Sequence, residues 1–444
     1  MLTNNFALTS DEKIAASENL STNTKMSQGF QIKSAHTKQS SRHQNKKKAV
    51  PEMRDIQESL LKHFGTLKDH RVERTKKHQL TDILVMAILA IIAGAQGWED
   101  IENYGISKQT WLEEFLALPN GIPSDDTFRR VFQFIDPSEL NQCFFGWVET
   151  LVASMGGEVI PIDGKTIRGS YDRNRGQSAL HVISAWASDQ RLVLAQMKVE
   201  DKSNEITAIP ALLDLLNIAG SIITIDAMGT QTEIAQKIID KKADYVLALK
   251  ANHPTLYSQV EKWFKEAAAQ DFKSVDVSYD KQINSGHHRT ENSQVWAVPI
   301  SAIGELYQPR IWAGLKSVVM VIRVRHLWNK ISREVHFYLT SLEHDAERLG
   351  QVIRKHWSIE NQAHWTLDCT FGEDACRIRS GHSPRNIALI RRIALNALNR
   401  EQTCQRSLRQ KMKRAAMNND YMFLVLSSCF TDNILGSSEP LCQA

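Results

Sequence analysis

The order of the apolar runs between residues 158 and 250 limits the possible folds of this chain more than any other feature. EVIPIDG, HVISAWAS and LVLAQMKV are three short runs rich in β-branched residues. Loops rich in Gly, Asp and Arg separate them, the pattern of an antiparallel meander. An amphipathic helix, EITAIPALLDLLNI, comes next, then the strand SIITIDAM, the helix TEIAQKIIDKK and the strand DYVLALK. Three strands followed by helix-strand-helix-strand predict a mixed α/β sheet whose later strands are joined by parallel crossovers. Residues 253–315 interrupt with helix and irregular sequence. Two further strands, SVVMVIRVRHL and EVHFYLTSL, precede a helix predicted to run unbroken through HDAERLGQVIRKHWSIENQAHW.

A sheet of this size does not use up 444 residues, so two or three domains are expected. Residues 55–150 read as a small helical domain, with apolar positions at helical spacing in IQESLLKHFGTL, ILVMAILAIIAGA and TFRRVFQFI. Thr81 or Asp82 is expected to cap the second of these helices, and Ser124 or Asp125 the third. The run at 83–95 is too short to span a bilayer, which takes about 20 residues, so no membrane partner is expected. The first residues show neither the basic nor the apolar part of a signal peptide. Six Cys without a CxxC pair fit a reducing compartment. A cytoplasmic, nucleoid-associated protein is expected.

Charge is unevenly spread. The net charge is +4, yet residues 1–50 carry +5 and residues 377–414 carry +10, leaving −11 for the rest. Basic ends around an acidic middle suggest a polyanion held from outside and cations held at the centre. Residues 1–50 are polar and are expected to be a disordered basic tail, and 403–444 a basic C-terminal tail.

The acids sit where an open sheet places its ligands. Asp163 ends the apolar strand that contains Val159, Ile160 and Ile162, and Asp226 ends IITI. A carboxylate just past a buried strand lies at the sheet rim and is costly there unless it is paired or metal-bound. IDGKT is not a phosphate loop, because Val159 stands where that motif requires Gly. Lys165 and Arg168 can still meet phosphates as point charges. Glu360, Asp368, Glu373 and Asp374 compete for the place of a third acid, and pattern alone does not choose among them. A zinc site on His356 and His364 is unsuitable, because eight helical residues separate them by about 12 Å. Three carboxylates from two strands and a helix would suit a pair of Mg²⁺ (or Mn²⁺) ions acting on a phosphodiester. Trp357 and Trp365 could then stack on displaced bases.

At these residues a resemblance becomes specific. IDGKTIRGS, TIDAMGTQ and HWSIENQAHWTLDCTFGED resemble the three catalytic blocks of DDE insertion-sequence transposases, in the branch of the H-repeat-associated proteins. HFGTLKDHRVERTKKHQLTDILVMAILAIIAGAQGWEDI and NGIPSDDTF resemble that branch's associated N-terminal domain. The likeness covers roughly residues 56–402. It implies an RNase H-like core over 156–402 with an insertion at about 253–315. It assigns the catalytic, metal-holding acids to Asp163, Asp226 and Glu360. The implied activity is metal-dependent cleavage and strand transfer at element ends, with double-stranded DNA as partner and a homodimer on the DNA. SGHHRTE resembles the family's His-Gly-Arg-x-Glu segment and adds His287 and Arg289 to the DNA-binding set, although His288 replaces the usual Gly. Related enzymes carry a Tyr and an Arg before the catalytic Glu and a Lys after it. This chain departs from that pattern, with Arg354, Lys355, His356 and Trp357 before Glu360 and His364 and Trp365 after it. A metal-dependent nuclease without strand transfer and a domesticated DNA-binding protein remain alternatives.

Overall fold

The computed structural model describes residues 52–431 apart from 153, 174–175, 201–203, 274, 287–288, 305 and 328–329. Five helices come first: α1 (Met53–Phe64), α2 (Leu80–Ile92), α3 (Trp98–Leu112), α4 (Asp125–Phe134) and α5 (Pro137–Leu151). Helix α2 is apolar all round and almost wholly buried, as a central helix must be. It begins at Leu80, so Thr81 and Asp82 lie inside its first turn and do not cap it. Asp82 instead turns inward and accepts the Leu118 N–H at 3.1 Å. Ser124 caps α4, its hydroxyl accepting the Thr127 N–H.

The sheet follows the expected order: β1 (Val159–Ile167), β2 (Leu180–Ala187), β3 (Leu192–Lys198), α6 (Glu205–Leu215), β4 (Ile222–Ile225), α7 (Thr232–Asp240) and β5 (Asp244–Leu249). Strand β1 pairs in parallel with β4, and β4 with β5, while β2 runs antiparallel to β1 and β3. The spatial order β3-β2-β1-β4-β5 is that of an RNase H-like core.

The interrupting segment holds more strand than its sequence suggests. After α8 (Pro254–Ala269), the strands β6 (Ser278–Gly286), β7 (Arg289–Pro299), β8 (Ser317–Leu327) and β9 (Lys330–Thr340) form an antiparallel series. Strand β9 returns to pair with β5, so one nine-stranded sheet results. Strands β6 and β7 were not expected, because SYDKQINSG and RTENSQVWAVP are largely polar.

Period-two alternation gives the sheet two faces. Ile160, Ile162, Ile223, Ile225 and Leu247 join the large core that also holds the helical region. Val159, Ile222, Val246, Val319 and Val321 face the other way, against Leu349, Val352 and Ile353 of α9 (Ala346–His356). The predicted single helix breaks after α9. A π-helical turn covers Ile359–His364 before the short α10 (Trp365–Cys369).

The basic C-terminal segment is a solvated face only in part: Arg377, Arg406, Arg409, Lys413 and Arg414 are exposed, whereas Arg391, Arg392 and Lys411 are buried. Helix α11 (Ser383–Arg400) packs on α2, with Arg391 and Arg392 fully buried and Arg392 ion-paired to Glu373. Helices α12 (Leu408–Met417) and α13 (Asn419–Phe430) follow within the segment expected as a tail. Lys411 is buried there and donates to the Leu398 carbonyl at 2.9 Å.

Candidate active site

The acids meet because of strand register. The parallel pairing of β1 and β4 stops at Ile162 and Ile225, so the next residues, Asp163 and Asp226, stand side by side where β4 ends. Asp163 does not end its own strand as expected, because β1 continues to Ile167 in antiparallel pairing with β2. Alternation puts both on the α9 face, since Asp163 follows Val159 by four residues and Asp226 follows Ile222 by four. Helix α9 lies on that face and hands the chain to the π turn that carries Glu360. Asp163, Asp226 and Glu360 line one cleft, with Lys250, His336, His356 and Trp357.

Asp226 Oδ1 accepts the Met228 N–H at 3.0 Å and the Gly229 N–H at 3.4 Å, which fixes the carboxylate at the strand end. His364 Nδ1 lies 3.4 Å from Asp163 Oδ2. Burial pushes the Asp163 carboxyl up, but the hydrogen bond and charge of His364, the charge of His356 and the Gly164 N–H outweigh it. The net shift is downward. The Glu360 carboxyl is raised, first by partial desolvation against the cleft wall and then by the charge of Asp163. Burial lowers His356 despite Asp163 and Asp226, and its Nδ1 hydrogen-bonds Thr224 Oγ1 at 2.9 Å. The site thus holds Asp163 below and Glu360 above the ordinary carboxylate value, and His356 below the ordinary imidazole value.

The donors present are carboxylate oxygens at a solvent-accessible rim. Among the described residues, no three His, Cys, Asp or Glu side chains, these three acids included, converge closely enough to hold a metal ion by themselves. This donor chemistry fits Mg²⁺, which takes one or two protein carboxylates and completes its shell with water and substrate phosphate.

The expected DNA contacts divide. Trp357 lies at the cleft wall under two cations, with the Arg323 guanidinium 4.7 Å and that of Arg325 5.8 Å from the ring centroid. Trp365 is 60% exposed, and Arg354 is exposed. Arg168 is also exposed, with Nε 3.6 Å from Asp374. Lys355 pairs with Asp189 at 2.7 Å. Lys165 turns inward: it is buried, 2.5 Å from Asp368 and 3.2 Å from Asp374. These two acids, which competed with Glu360 in the sequence, are thereby engaged away from the cleft, and Glu373 is engaged by Arg392. His287 lies outside the described residues, and of Arg289 only its place at the start of β7 is described.

Two residues escaped the sequence reading. Lys250 ends DYVLALK at the rim, where the argument used for Asp163 and Asp226 could have found it. The second is Gly164, which leaves room for an ion-paired side chain. A Cβ there would sit 1.9 Å from Glu205 Oε1, and His181 Nε2 meets that oxygen at 2.8 Å. The Gly in IDGKT thus gives the Glu205–His181 pair its space beside the acid, and a Cβ there would make the Glu205 carboxylate shift.

The family model described as "Transposase DDE domain" matches residues 154–397, and the model described as "DDE_Tnp_1-associated" matches residues 61–148. The chain is 38% identical over 374 residues to the H repeat-associated putative transposase YhhI of Escherichia coli strain K12, covering 83% of this chain and 97% of that one. It is 39% identical over 375 residues to the putative transposase YncI of Escherichia coli O157:H7, covering 84% and 95%. Cleft, fold and relatives agree, and the chain belongs to the transposase DDE-domain family.

Proposed function

We propose that this protein is a DNA transposase that cuts and joins DNA at the ends of an insertion sequence. The observation that carries the reading is the meeting of Asp163 and Asp226, on neighbouring parallel strands, with Glu360 in one cleft. The three carboxylates would hold Mg²⁺ or Mn²⁺. Bound there, two such ions activate water or a 3′-hydroxyl and stabilise the leaving oxygen of a phosphodiester. His364 positions the Asp163 carboxylate, and Lys250 presents a cation to a phosphate in the cleft. Trp357 offers an aromatic face braced by Arg323 and Arg325. Arg168, Arg354 and Trp365 offer exposed cationic and aromatic contacts to double-stranded DNA, and two copies of the chain would bring two ends together.

The test is cleavage of a supercoiled plasmid carrying the DNA that flanks this gene, in Mg²⁺ and in EDTA, with the parent and with Asp163→Asn. Cuts at the flanks that need both Mg²⁺ and Asp163, with joined products, are expected. Cuts without joining would leave a nuclease. Binding without cuts, indifferent to the substitution, would sink the enzyme reading.

A further inference from the structure

The catalytic cleft is small, and the basic C-terminal segment has spent several of its cations inside the fold. A second cationic surface lies elsewhere. The loop 68–78 and helix α4 enclose an open groove of roughly 560 Å³. Lys68, His70, Arg71, Lys77, His78 and Arg130 line it, and Asp69 is the one acid among the lining residues. Asp69 is occupied: Arg71 Nε and Nη2 donate to its two oxygens at 2.9 and 2.8 Å. Arg71 also donates to the His78 carbonyl at 2.8 Å, and the Asn120 side-chain amide donates to the Lys77 carbonyl. The loop is therefore clamped before any ligand arrives. Lys77 and His70 are exposed and make no ion pair among the described residues, and Arg130 reaches only the edge of Asp126 at 3.4 Å. His78 is 8% exposed, and its Nδ1 has no partner among the described residues. Phe134, one helical turn from Arg130, is 63% exposed at the rim.

Contacts connect this groove to the sheet rim. The His382 N–H donates to the Gln133 carbonyl on α4. The same loop carries Arg379, whose Nε donates to the Gly169 carbonyl at 3.0 Å and whose guanidinium lies 4.9 Å from the Tyr171 ring centroid. Arg168 stands next to Gly169. Cations thus recur from the groove toward Arg168, which follows the last residue of β1 and lies five residues beyond Asp163.

We propose that the groove between the loop 68–78 and α4 binds the phosphate backbone of duplex DNA, outside the catalytic cleft. This rests on the transposase reading. A pre-ordered wall of cations, in which Asp69 engages Arg71 and Glu139 engages Lys68 while Lys77 and His70 make no ion pair among the described residues, attracts a polyanion, and an aromatic at its rim packs on sugar or base. Lys77 and Arg130 make the phosphate contacts, and Arg71 holds the loop that presents them.

The experiment is anisotropy of the full chain with a labelled duplex taken from the gene's flanks, in EDTA, as a salt titration. The double substitution Lys77→Gln with Arg130→Gln removes two phosphate contacts. It should weaken binding on the order of 60-fold at 0.1 M salt and lower the salt slope by about 2. Lys77→Arg with Arg130→Lys should restore both quantities. Both positions are exposed, so thermal unfolding should match the parent and exclude misfolding as the cause. Parent-like affinity and slope in the Gln pair overturns the groove. If the parent still cuts in an Asp163-dependent way, the transposase reading survives that result. A folded parent that binds a poly-glutamate peptide as well as the duplex overturns the groove as a DNA site. A folded parent that binds no duplex overturns both readings.

Discussion

Each acid of the cleft is held differently, and the differences are measurable. Asp163 has His364 beside it and lies below the usual carboxylate range, while Glu360 lies above it. A carboxyl raised in the folded state weakens folding once it ionises. That penalty is absent below the unfolded value of about 4.3 and complete above the folded one. Glu360→Gln should therefore raise the melting temperature at pH 7 in EDTA, with the gain vanishing below about pH 4, while cutting in Mg²⁺ is lost. An unchanged or lower melting temperature at pH 7 would refute the electrostatic account of Glu360. Asp163 works in the opposite sense: its contribution is present above its unfolded value and fades as pH falls through the lower folded one. The placement of Asp163 and Asp226 was legible, because each closes an apolar run. The partners of the other acids were not. Nothing in a one-dimensional pattern shows Lys165 folding inward onto Asp368 and Asp374, since those residues lie more than 200 positions away.

At the scale of elements, periodicity succeeded wherever one face is apolar and failed where local geometry overrides it. The strands β1, β4 and β5 were readable because both their faces are buried. Strands β6 and β7 are polar and gain their place through pairing with β8. The π turn at Ile359–His364 has no signature in a hydrophobicity pattern, yet it sets how Glu360 and His364 face Asp163. Such turns behave as one-residue insertions in an α-helix and recur at functional sites. Deleting the exposed Gln362 should restore α-helical spacing and rotate His364 by about 100° relative to Glu360. Cutting should fall at least tenfold while circular dichroism stays parental. Retained cutting would show that the π turn does not set the site. The edge strand β3 carries a second test. The Asn396 side chain donates to the Val193 carbonyl at 2.9 Å and accepts its N–H at 2.8 Å, in the manner of a neighbouring strand. Asn396→Leu leaves both backbone groups buried without partners, and the cost should be about 2–5 kcal/mol by denaturant unfolding. A loss below about 1 kcal/mol would mean that the edge finds other partners.

At the scale of the whole molecule, the segment that its charge marks as an appendage contributes to the core. The expectation of a basic tail from residue 403 came from counting Arg and Lys, and counting cannot tell a solvated cation from one paired inside. Helix α13 buries Tyr421, Met422, Val425, Leu426 and Phe430. Phe430 stacks on Trp147 of α5 with centroids 5.1 Å apart, and the Trp147 indole N–H donates to the Cys429 carbonyl at 3.1 Å. Lys411 and the Tyr421 hydroxyl converge on the buried Glu401, the Tyr421 O–H donating at 2.6 Å. The helices before the sheet therefore share one core with the helices after it. Truncation after residue 402 should expose the Trp147 face and leave Glu401 without its Tyr and Lys. The shortened chain should lose cooperative unfolding or aggregate, although every cleft residue remains. Phe430→Ala, which keeps the helix, separates the packing from the loss of chain and should cost about 3–5 kcal/mol. If the truncated chain instead melts within a degree or two of the parent and still cuts, the segment is a tail after all. The groove bordered by α4 would then owe nothing to the helices that close the core behind it.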